Sequence, residues 1–292
     1  MRLGLNKFSV IFGEKIDKML QLSEIWIYPV KSLGGIALQH SKVTDRGLEH
    51  DRRWLLVDEN DCFITQREHP KLTLFQPEIA GDFLKISHKT MPDFIAVSLY
   101  PIFPETETRI KVTVWEDVVE AFEVSPEASQ WFSKILGFIV RLVYMPEESL
   151  RKVAADYSVT PNDVTSFSDG FPFLIIGQSS LDDLNSRMAQ PLSIRRFRPN
   201  FVFSGGEAYE EESWKEFTIG TLPFYGVKPC SRCIITMIDP ESGVISGKEP
   251  LFTLSKYKQV DKKVIFGQNV IAIQQGSLQV GDEIAVLKKI SI

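Results

Sequence analysis

Short runs of β-branched and aromatic residues recur along the chain from residue 22 to residue 124, separated by Gly, Pro and Asp clusters. This alternation is typical of strands joined by tight turns. Polar residues at 58–61 and 116–117 predict two such turns, because Asp and Asn side chains satisfy turn backbone locally. We predict strands in this half at Ile25–Tyr28, Trp54–Val57 and Ile110–Trp115.

Helical signals stand out at two later places in the chain. Ser125 provides a capping hydroxyl, Pro126 suits a first helical position, and Gly137 provides a stop, so these residues predict one helix. A second helix is predicted to begin near Ser179 or Ser180. Apolar residues recur after it at spacings of three and four: Leu181, Leu184 and Met188.

The remaining apolar runs predict more strands than helices, and many short strands with few helices favour a barrel. We therefore predict a mostly β, α+β fold with two domains, 20–124 and 125–292. Residues 1–19 are predicted to be a leading arm, because Met19 directly precedes the first strand-like run. The later strand candidates are Val140–Tyr144, Phe173–Ile176, Phe201–Phe203, Ile234–Ile238, Val270–Gln274 and Glu283–Leu287.

Composition narrows the functional classes. The chain has 292 residues, 43% of them hydrophobic and 24% charged, which is ordinary for a globular protein. A net charge of −5 gives no sign of a nucleic-acid-binding surface, and no apolar run approaches the roughly 20 residues of a membrane span. Three cysteines are too few and too odd in number for a disulfide framework, so we expect a reducing, cytoplasmic location.

Two of these cysteines lie in the segment 228–233, followed by an apolar run and the turn sequence 239–243. We predict that the pair opens a strand, at the mouth of a hairpin. Structural zinc needs four ligands, and the chain offers besides only Cys62 and scattered histidines, which disfavours a zinc-stabilised binding module. The histidines are His40, His50, His69 and His88.

Other interpretations of the cysteine pair remain open. A thioredoxin-like redox pair would open a helix after a strand, which this context does not suggest. Two buried, inert thiols are common, although Arg232 between them argues mildly against burial. A single thiolate ligand to a soft, redox-active metal, with neighbouring cations holding the rest of a cofactor, is the remaining interpretation.

Residues 228–234, followed by Asp239-Pro240 and Gly243, resemble the signature of MOSC domains, named after the carboxy-terminal domain of molybdenum cofactor sulfurases. Residues 28–33 and 51–54 resemble the β-rich region that precedes this domain in the mitochondrial amidoxime reducing component and its bacterial relatives. The resemblance extends over nearly the whole chain from about Leu20, so it carries more weight than one motif. Further segments continue it in the same order: 167–169, 183–187 and 197–200.

The resemblance implies which residues form the site. In the family the second cysteine of the motif binds molybdenum, so Cys233 would be metal ligand and catalytic residue. We predict Asp169 near the metal, as a carboxylate that supports the metal ligands or as a proton relay, with a solvated loop aspartate as the open alternative. The metal is already chelated by the sulfurs of molybdopterin, and one further thiolate matches their softness. The phosphate of this molybdenum cofactor calls for cationic donors. The implied cofactor-binding residues are Lys31, Ser32, Arg52, Arg198, Asn200, Ser231 and Arg232.

The chain departs from the amidoxime-reducing relatives at Gly170 and Phe171, where small hydroxyl residues help to bind the cofactor. Side-chain contacts at that place are therefore not expected. Gly170 would still let backbone N–H groups approach closely. Phe171 would reshape the mouth of the site, so substrate range is the property most exposed to this difference.

The fold implied by the resemblance is an amino-terminal β-barrel-like domain packed against a MOSC β-barrel, with the cofactor in the cleft. The implied activity is reduction of small N-hydroxylated compounds, amidoximes or hydroxylamines, by oxygen transfer to molybdenum. No cysteine follows Cys233, so the iron–sulfur domain of some bacterial relatives is not expected, and electrons would come from a separate donor protein. A non-catalytic alternative is a carrier of the cofactor or of cysteine-bound sulfur.

Overall fold

The computed structural model describes residues 19–290, so the predicted leading arm, apart from Met19, lies outside the described residues. Most of the regular structure is β. The strands of the first half are β1 Gln21–Ile27, β2 Ile36–Leu38, β3 His40–Thr44, β4 Gly47–Leu48, β5 Trp54–Val57, β6 Phe75–Ala80, β7 Phe83–His88, β8 Met91–Ser98, β9 Ile110–Val114 and β10 Asp117–Glu123. Those of the second half are β11 Arg141–Tyr144, β12 Arg151–Lys152, β13 Val164–Thr165, β14 Phe173–Gly177, β15 Phe201–Ser204, β16 Trp214–Ile219, β17 Leu222–Ser231, β18 Gln259–Val260, β19 Lys263–Ala272, β20 Gly276–Gln279 and β21 Ile284–Lys289.

Helices are fewer and shorter than strands. The α-helices are α1 Pro126–Leu136, α2 Gln178–Ser186 and α3 Leu251–Ser255. Single turns of 3-10 helix occur at Pro70–Leu74, Ala155–Tyr157, Ile194–Phe197, Glu210–Ser213 and Ile234–Met237. No helix within residues 19–290 is long and apolar enough to cross a bilayer.

The largest sheet joins the beginning of the described chain to its end. Its strands run in the order β2-β1-β15-β14-β19-β17-β16-β21, with β18 paired to β19. Backbone hydrogen bonds from Leu22 to Asp282 (2.8 Å) and from Ile284 to Leu20 (2.9 Å) connect β1 back to the β21 end. The sheet therefore closes on itself around an apolar interior that includes Ile25, Phe201 and Phe224, and this is the predicted second barrel.

The first half forms smaller sheets around a second apolar core. Strands β5, β11, β10 and β9 make one sheet, and β6, β7 and β8 make another. Trp54, Phe75 and Phe132 are fully buried between them, and α1 packs on the same core. The predicted mostly β architecture with two β-rich units is confirmed.

Strand pairing crosses the predicted division near residues 124–126. The early strands β1 and β3 pair with the late strands β15 and β20, whereas β11 pairs with β5 and β10. Each half therefore contributes strands to sheets of the other half. The division at 124/125 stays a prediction.

The two predicted helices are present. Ser125 Oγ accepts the Ala128 N–H at 3.1 Å, and Gly137 ends α1 in the left-handed region at φ 81°. Helix α2 starts at Gln178, slightly before the predicted position, because Ser180 does not cap it. The Ser180 hydroxyl is bonded instead to the buried carboxylate of Glu211 at 2.9 Å.

The strand predicted at Ile234–Ile238 is wrong, because Ile234–Met237 forms a turn of 3-10 helix. Both the backbone N–H and the hydroxyl of Thr236 donate to the Cys233 carbonyl, at 3.1 and 3.0 Å, and these local bonds override the strand preference of the isoleucines. The cysteine pair consequently lies at the end of β17 and just beyond it, and does not open a strand. The turn predicted at 116–117 is shifted by one residue, to Trp115-Glu116.

Candidate functional site

A cavity of about 300 Å³ lies where the two halves meet. The first half lines it with the segment after β1, with Arg52 two residues before β5, and with the loop after β5. The second half lines it with the approaches to β14 and β15 and with the end of β17. Every residue that the sequence predicts for the site lines it: Lys31, Ser32, Arg52, Asp169, Arg198, Asn200, Ser231, Arg232 and Cys233. Residues up to 202 positions apart in sequence, Lys31 and Cys233, therefore share one cavity, while their roles stay predictions.

One end of the cavity holds two guanidinium groups, which we call the arginine pair: Arg52 and Arg198. Both stack on the ring of Tyr28, with Arg52 Cζ 4.3 Å and Arg198 Cζ 4.1 Å from the ring centroid. Arg52 also binds the fully buried carboxylate of Asp51 at 2.5 Å. Arg198 donates to the Leu33 carbonyl at 2.6 Å and forms no ion pair within residues 19–290.

The arginine pair is held by a polar network across the two halves. Asn200 is buried, and its amide group donates to Asp51 and to the Trp26 carbonyl, both at 3.1 Å. Its oxygen accepts from Arg52 at 3.2 Å and from the Leu174 N–H at 3.3 Å. Asn200 thus orients Arg52, and its expected direct contact with the cofactor stays a prediction.

Burial destabilises the charged form of Arg198, one member of the arginine pair. Desolvation, reinforced by repulsion from Arg52, lowers the pKa of Arg198 from its usual range to about 10. A desolvated charge is retained in a fold where a partner compensates it. The carboxylates of Asp51 and Asp169 offset this cost only in part, and neither forms an ion pair with Arg198, so the arginine pair has the electrostatic character of an anion site.

Three of the nine non-glycine residues with a positive φ angle in the described chain line the same cavity. Ser32, Arg52 and Arg198 have positive φ angles of 70°, 50° and 55°. Such left-handed conformations cost non-glycine residues roughly 1–3 kcal/mol each and cluster at functional sites. All three residues line the cavity between the two halves.

A second group of charges, the rim cluster, comprises Lys31, Arg67, Trp115 and Asp169. Asp169 binds Lys31 Nζ at 2.5 Å and lies 3.6 Å from Arg67, and the Trp115 indole N–H donates to it at 3.4 Å. The guanidinium of Arg67 stacks 4.5 Å from the Trp115 ring centroid. Unlike Arg198, the cations of the rim cluster share a carboxylate.

Protonation in the rim cluster is set by burial and by this ion pair. Burial lowers the pKa of Lys31 to about 8, although the neighbouring Asp169 carboxylate opposes the change. At Asp169 the surrounding protein raises the carboxyl pKa, but Lys31 and Arg67 outweigh it and hold the pKa below its usual value. The lowered pKa keeps the Asp169 carboxylate ionised at neutral pH, and because 59% of its side chain is exposed it is reachable from the cavity mouth.

The two cysteines of the motif lie in different environments. Cys230 Sγ accepts a hydrogen bond from Arg232 at 3.0 Å and packs against the core beside α2. Cys233 follows β17 as the residue that precedes the 3-10 turn, and no hydrogen bond to its thiol is found among residues 19–290. Both are free thiols, and both line the cavity. Cys233 is thus the sulfur left available to a ligand.

The donor set fits a pterin-chelated metal with an anionic tail. The arginine pair offers two cations, of which Arg198 has no carboxylate partner in the described chain, and Arg232 adds a buried Nε without a hydrogen-bond partner there. A half-exposed thiol, Cys233, lies in the same cavity. Among the described residues no three His, Cys, Asp or Glu side chains are grouped to hold a metal, so the zinc interpretation gains no ligand set. A site with one protein thiolate would not form such a group.

Sequence reasoning missed several residues of the site. Tyr28 and Asp51 stand inside the motifs used above, so their positions were marked but their roles were not. Arg67 and Trp115 follow no motif, and only the fold brings them beside Asp169. Lys228 lines the cavity and its Nζ lies 4.0 Å from the Tyr157 ring centroid, which adds a further cation to the mouth.

Gly170 and Phe171 also line the cavity. A Cβ added at Gly170 would meet nothing within 4 Å, so the missing side chain leaves open space. Phe171 packs edge-on against Tyr157, with ring centroids 5.8 Å apart. The packed rings of Phe171 and Tyr157 therefore lie next to open space at Gly170, at the cavity mouth.

Two family models match successive regions of the chain. A family model described as the MOSC N-terminal beta barrel domain matches residues 19–138, and one described as the MOSC domain matches residues 162–285. The first contains Lys31, Arg52 and Arg67, and the second contains Asp169 and Cys233. The cavity thus lies between the two matched regions.

Curated relatives cover most of the chain. Human mitochondrial amidoxime-reducing component 1 is 36% identical over 283 residues, which span 91% of this chain and 82% of that protein. Rat mitochondrial amidoxime reducing component 2 is 32% identical over 92% of this chain and 84% of its own length. Among solved structures, the YuaD protein of Bacillus subtilis covers 91% of this chain and 94% of its own at 11% identity, with a TM-score of 0.39.

Proposed function

The chain belongs to the MOSC-domain family of the amidoxime-reducing components, and we propose that it is a molybdenum-cofactor-dependent reductase of small N-hydroxylated compounds. The observation that carries this proposal is one cavity that joins the arginine pair, in which Arg198 has no ion-pair partner among the described residues, to the available Cys233 thiol. The names of the relatives supply the substrate class, amidoximes.

The chain's own residues hold the cofactor. Arg198 and Arg52 bind its phosphate through forked N–H donors, and Lys31 and Arg232 add charge to the same anion. Ser32 and Ser231 contribute polar contacts from the two sides of the cavity. The Cys233 thiolate is the protein ligand of the metal, matching the sulfur chelate of the pterin. The bound cofactor supplies the two-electron oxygen-transfer chemistry.

Reduction of an N-hydroxy group consumes two electrons and two protons and releases water, so the site needs a proton source. Lys31, whose pKa is lowered to about 8 by burial, retains a proton at neutral pH and gives it up readily. Asp169 remains a carboxylate, so it keeps Lys31 charged and accepts hydrogen bonds from substrate N–H groups at the mouth. We therefore assign proton delivery to Lys31 Nζ and orientation to Asp169.

Electrons come, in this proposal, from a separate donor protein. The compartment stays a prediction: three free thiols suit a reducing location such as the cytoplasm, and the relatives are named as mitochondrial.

The proposal is tested by metal and pterin analysis of protein made in a molybdenum-sufficient host, with Cys230→Ala as the matched control for Cys233→Ala. Wild type and Cys230→Ala are expected to carry stoichiometric molybdenum and pterin, and Cys233→Ala to lose the metal. Steady turnover of benzamidoxime with a chemical reductant is expected of the loaded protein. Stoichiometric handover of the cofactor without turnover would favour the carrier, and zinc without molybdenum would refute both.

A further inference from the structure

Tyr28 is a residue that the proposed chemistry does not use, yet it is in contact with both cations of the anion site. Its ring is 2% exposed, and the guanidinium carbons of Arg52 and Arg198 lie 4.3 and 4.1 Å from its centroid. The two arginines come from different halves of the molecule, before β5 and before β15. The Tyr28 ring is therefore in contact with two positive charges, one from each half.

Repulsion between these charges opposes their juxtaposition. Asp51 compensates Arg52 at 2.5 Å, but Arg198 has only neutral carbonyl partners among the described residues. The negative face of an aromatic ring attracts a guanidinium, and this attraction grows when water is excluded, as it is at a buried ring. The Tyr28 ring thus supplies part of the attraction that offsets the repulsion between Arg52 and Arg198.

The ring itself is fixed by its surroundings. The Tyr28 N–H donates to Asp51 Oδ1 at 2.7 Å, so the carboxylate that binds Arg52 also anchors the Tyr28 backbone. A Cβ at Gly35 would come within 2.5 Å of Tyr28 Cε1, which means that the ring packs directly on the Gly35 backbone. The Tyr28 hydroxyl is buried and has no hydrogen-bond partner in the described chain. The ring, and not the hydroxyl, makes the functional contacts.

We propose that Tyr28 is a positioning residue that holds Arg52 and Arg198 together as a preorganised clamp for a tetrahedral dianion. This inference rests on the proposed function for the identity of the physiological anion, the cofactor phosphate, but the clamp is a property of the chain alone. Preorganisation matters because the ligand then does not have to gather two repelling cations when it binds.

The test measures sulfate affinity of the cofactor-free full chain by calorimetry, since sulfate is a tetrahedral dianion whose charge does not change near neutral pH. Tyr28→Phe keeps the ring and removes the unpartnered hydroxyl, so its affinity is expected to stay within about twofold of wild type. Tyr28→Leu removes the aromatic face, and its affinity is expected to fall on the order of tenfold.

A graded series of variants keeps the proposal testable if Tyr28→Leu fails to fold. Tyr28→Phe and its mono-, di- and trifluorinated phenylalanine analogues differ little in size, but each fluorine weakens the negative face of the ring. The logarithm of the sulfate affinity is expected to fall stepwise with fluorination, which a purely structural role of the ring would not produce. Affinity that is independent of fluorination, or a large loss already in Tyr28→Phe, would overturn the proposal.

The two proposals fail separately in these experiments. Protein that carries no molybdenum or pterin but shows the fluorination trend would refute the reductase and keep the clamp. Molybdenum-loaded, active protein whose sulfate affinity ignores fluorination would keep the reductase and refute the clamp.

Discussion

The arginine pair and the rim cluster line the same cavity with the same kind of charge but compensate it differently. In the rim cluster Asp169 binds Lys31 at 2.5 Å and faces Arg67 at 3.6 Å. In the arginine pair Arg198 has no carboxylate partner within residues 19–290. From this difference we expect anion affinity to reside at the arginine end, where one cation has no carboxylate partner, and protonation to be set at the rim.

The largest expected effect separates the two cations Arg198 and Arg67. Arg198→Met removes a desolvated donor that has no ion-pair partner among the described residues, so sulfate affinity of the cofactor-free chain is expected to fall on the order of 10- to 100-fold. Arg67→Met removes a partly exposed cation whose charge Asp169 already balances, and a loss below about threefold is expected. Calorimetry on both variants checks this, and equal losses would remove the distinction between the two ends.

A second prediction uses the pKa of Lys31, which burial lowers to about 8. Lys31 is charged below that pH and neutral above it, so sulfate affinity is expected to fall several-fold as the pH rises from 7 to 9.5, with a midpoint near 8. Lys31→Met should show no such step. A flat wild-type profile would show that Lys31 does not face the bound anion.

The lowered pKa of Lys31 also predicts how folding stability changes with pH. The folded-state pKa of Lys31 lies below its unfolded value, so the charged form is the less favoured one in the fold. Folding stability is therefore expected to rise from pH 8 toward pH 10, as this penalty disappears. Urea unfolding of wild type against Lys31→Met across that range isolates the contribution, which vanishes in the variant.

Asp169→Asn tests the rim cluster more finely. The Asp169 carboxylate raises the pKa of Lys31 against the effect of burial, so its removal is expected to move the midpoint of the sulfate profile below that of wild type. The amide keeps the size and the hydrogen-bonding oxygen, which makes the variant a charge test. An unchanged midpoint would mean that solvent already screens the Lys31–Asp169 pair.

Much of this arrangement followed from the sequence because its signals are local. The cap at Ser125, the stop at Gly137 and the strand Trp54–Val57 each depend on neighbouring residues, and all appear in the structure. The predicted site residues came from motifs that resemble a known family; the fold gathers them into one cavity, and their roles stay predictions.

What the sequence did not indicate depends on contacts between distant segments. Ile234–Met237 has strand-forming residues, yet hydrogen bonds from Thr236 to Cys233 turn it into a 3-10 helix. Arg67 and Trp115 acquire their role only when the loop after β5 and the β9–β10 turn meet Asp169. The stacking of Arg52 and Arg198 on Tyr28 likewise joins three segments that no spacing rule connects.

The smallest expected effect contrasts two glycines near these two regions. Gly170 adjoins the rim cluster, and a Cβ there meets nothing within 4 Å, so Gly170→Ser is expected to change unfolding free energy by less than about 0.5 kcal/mol. Its new hydroxyl would restore a donor at the cavity mouth and raise sulfate affinity by less than about threefold. Gly35→Ala is the opposite case, because its Cβ would meet the Tyr28 ring at 2.5 Å and displace it. Denaturant unfolding and calorimetry on both variants are expected to show that the rim tolerates an added side chain and that the arginine end does not. A destabilised Gly170→Ser together with an unaffected Gly35→Ala would contradict this expectation.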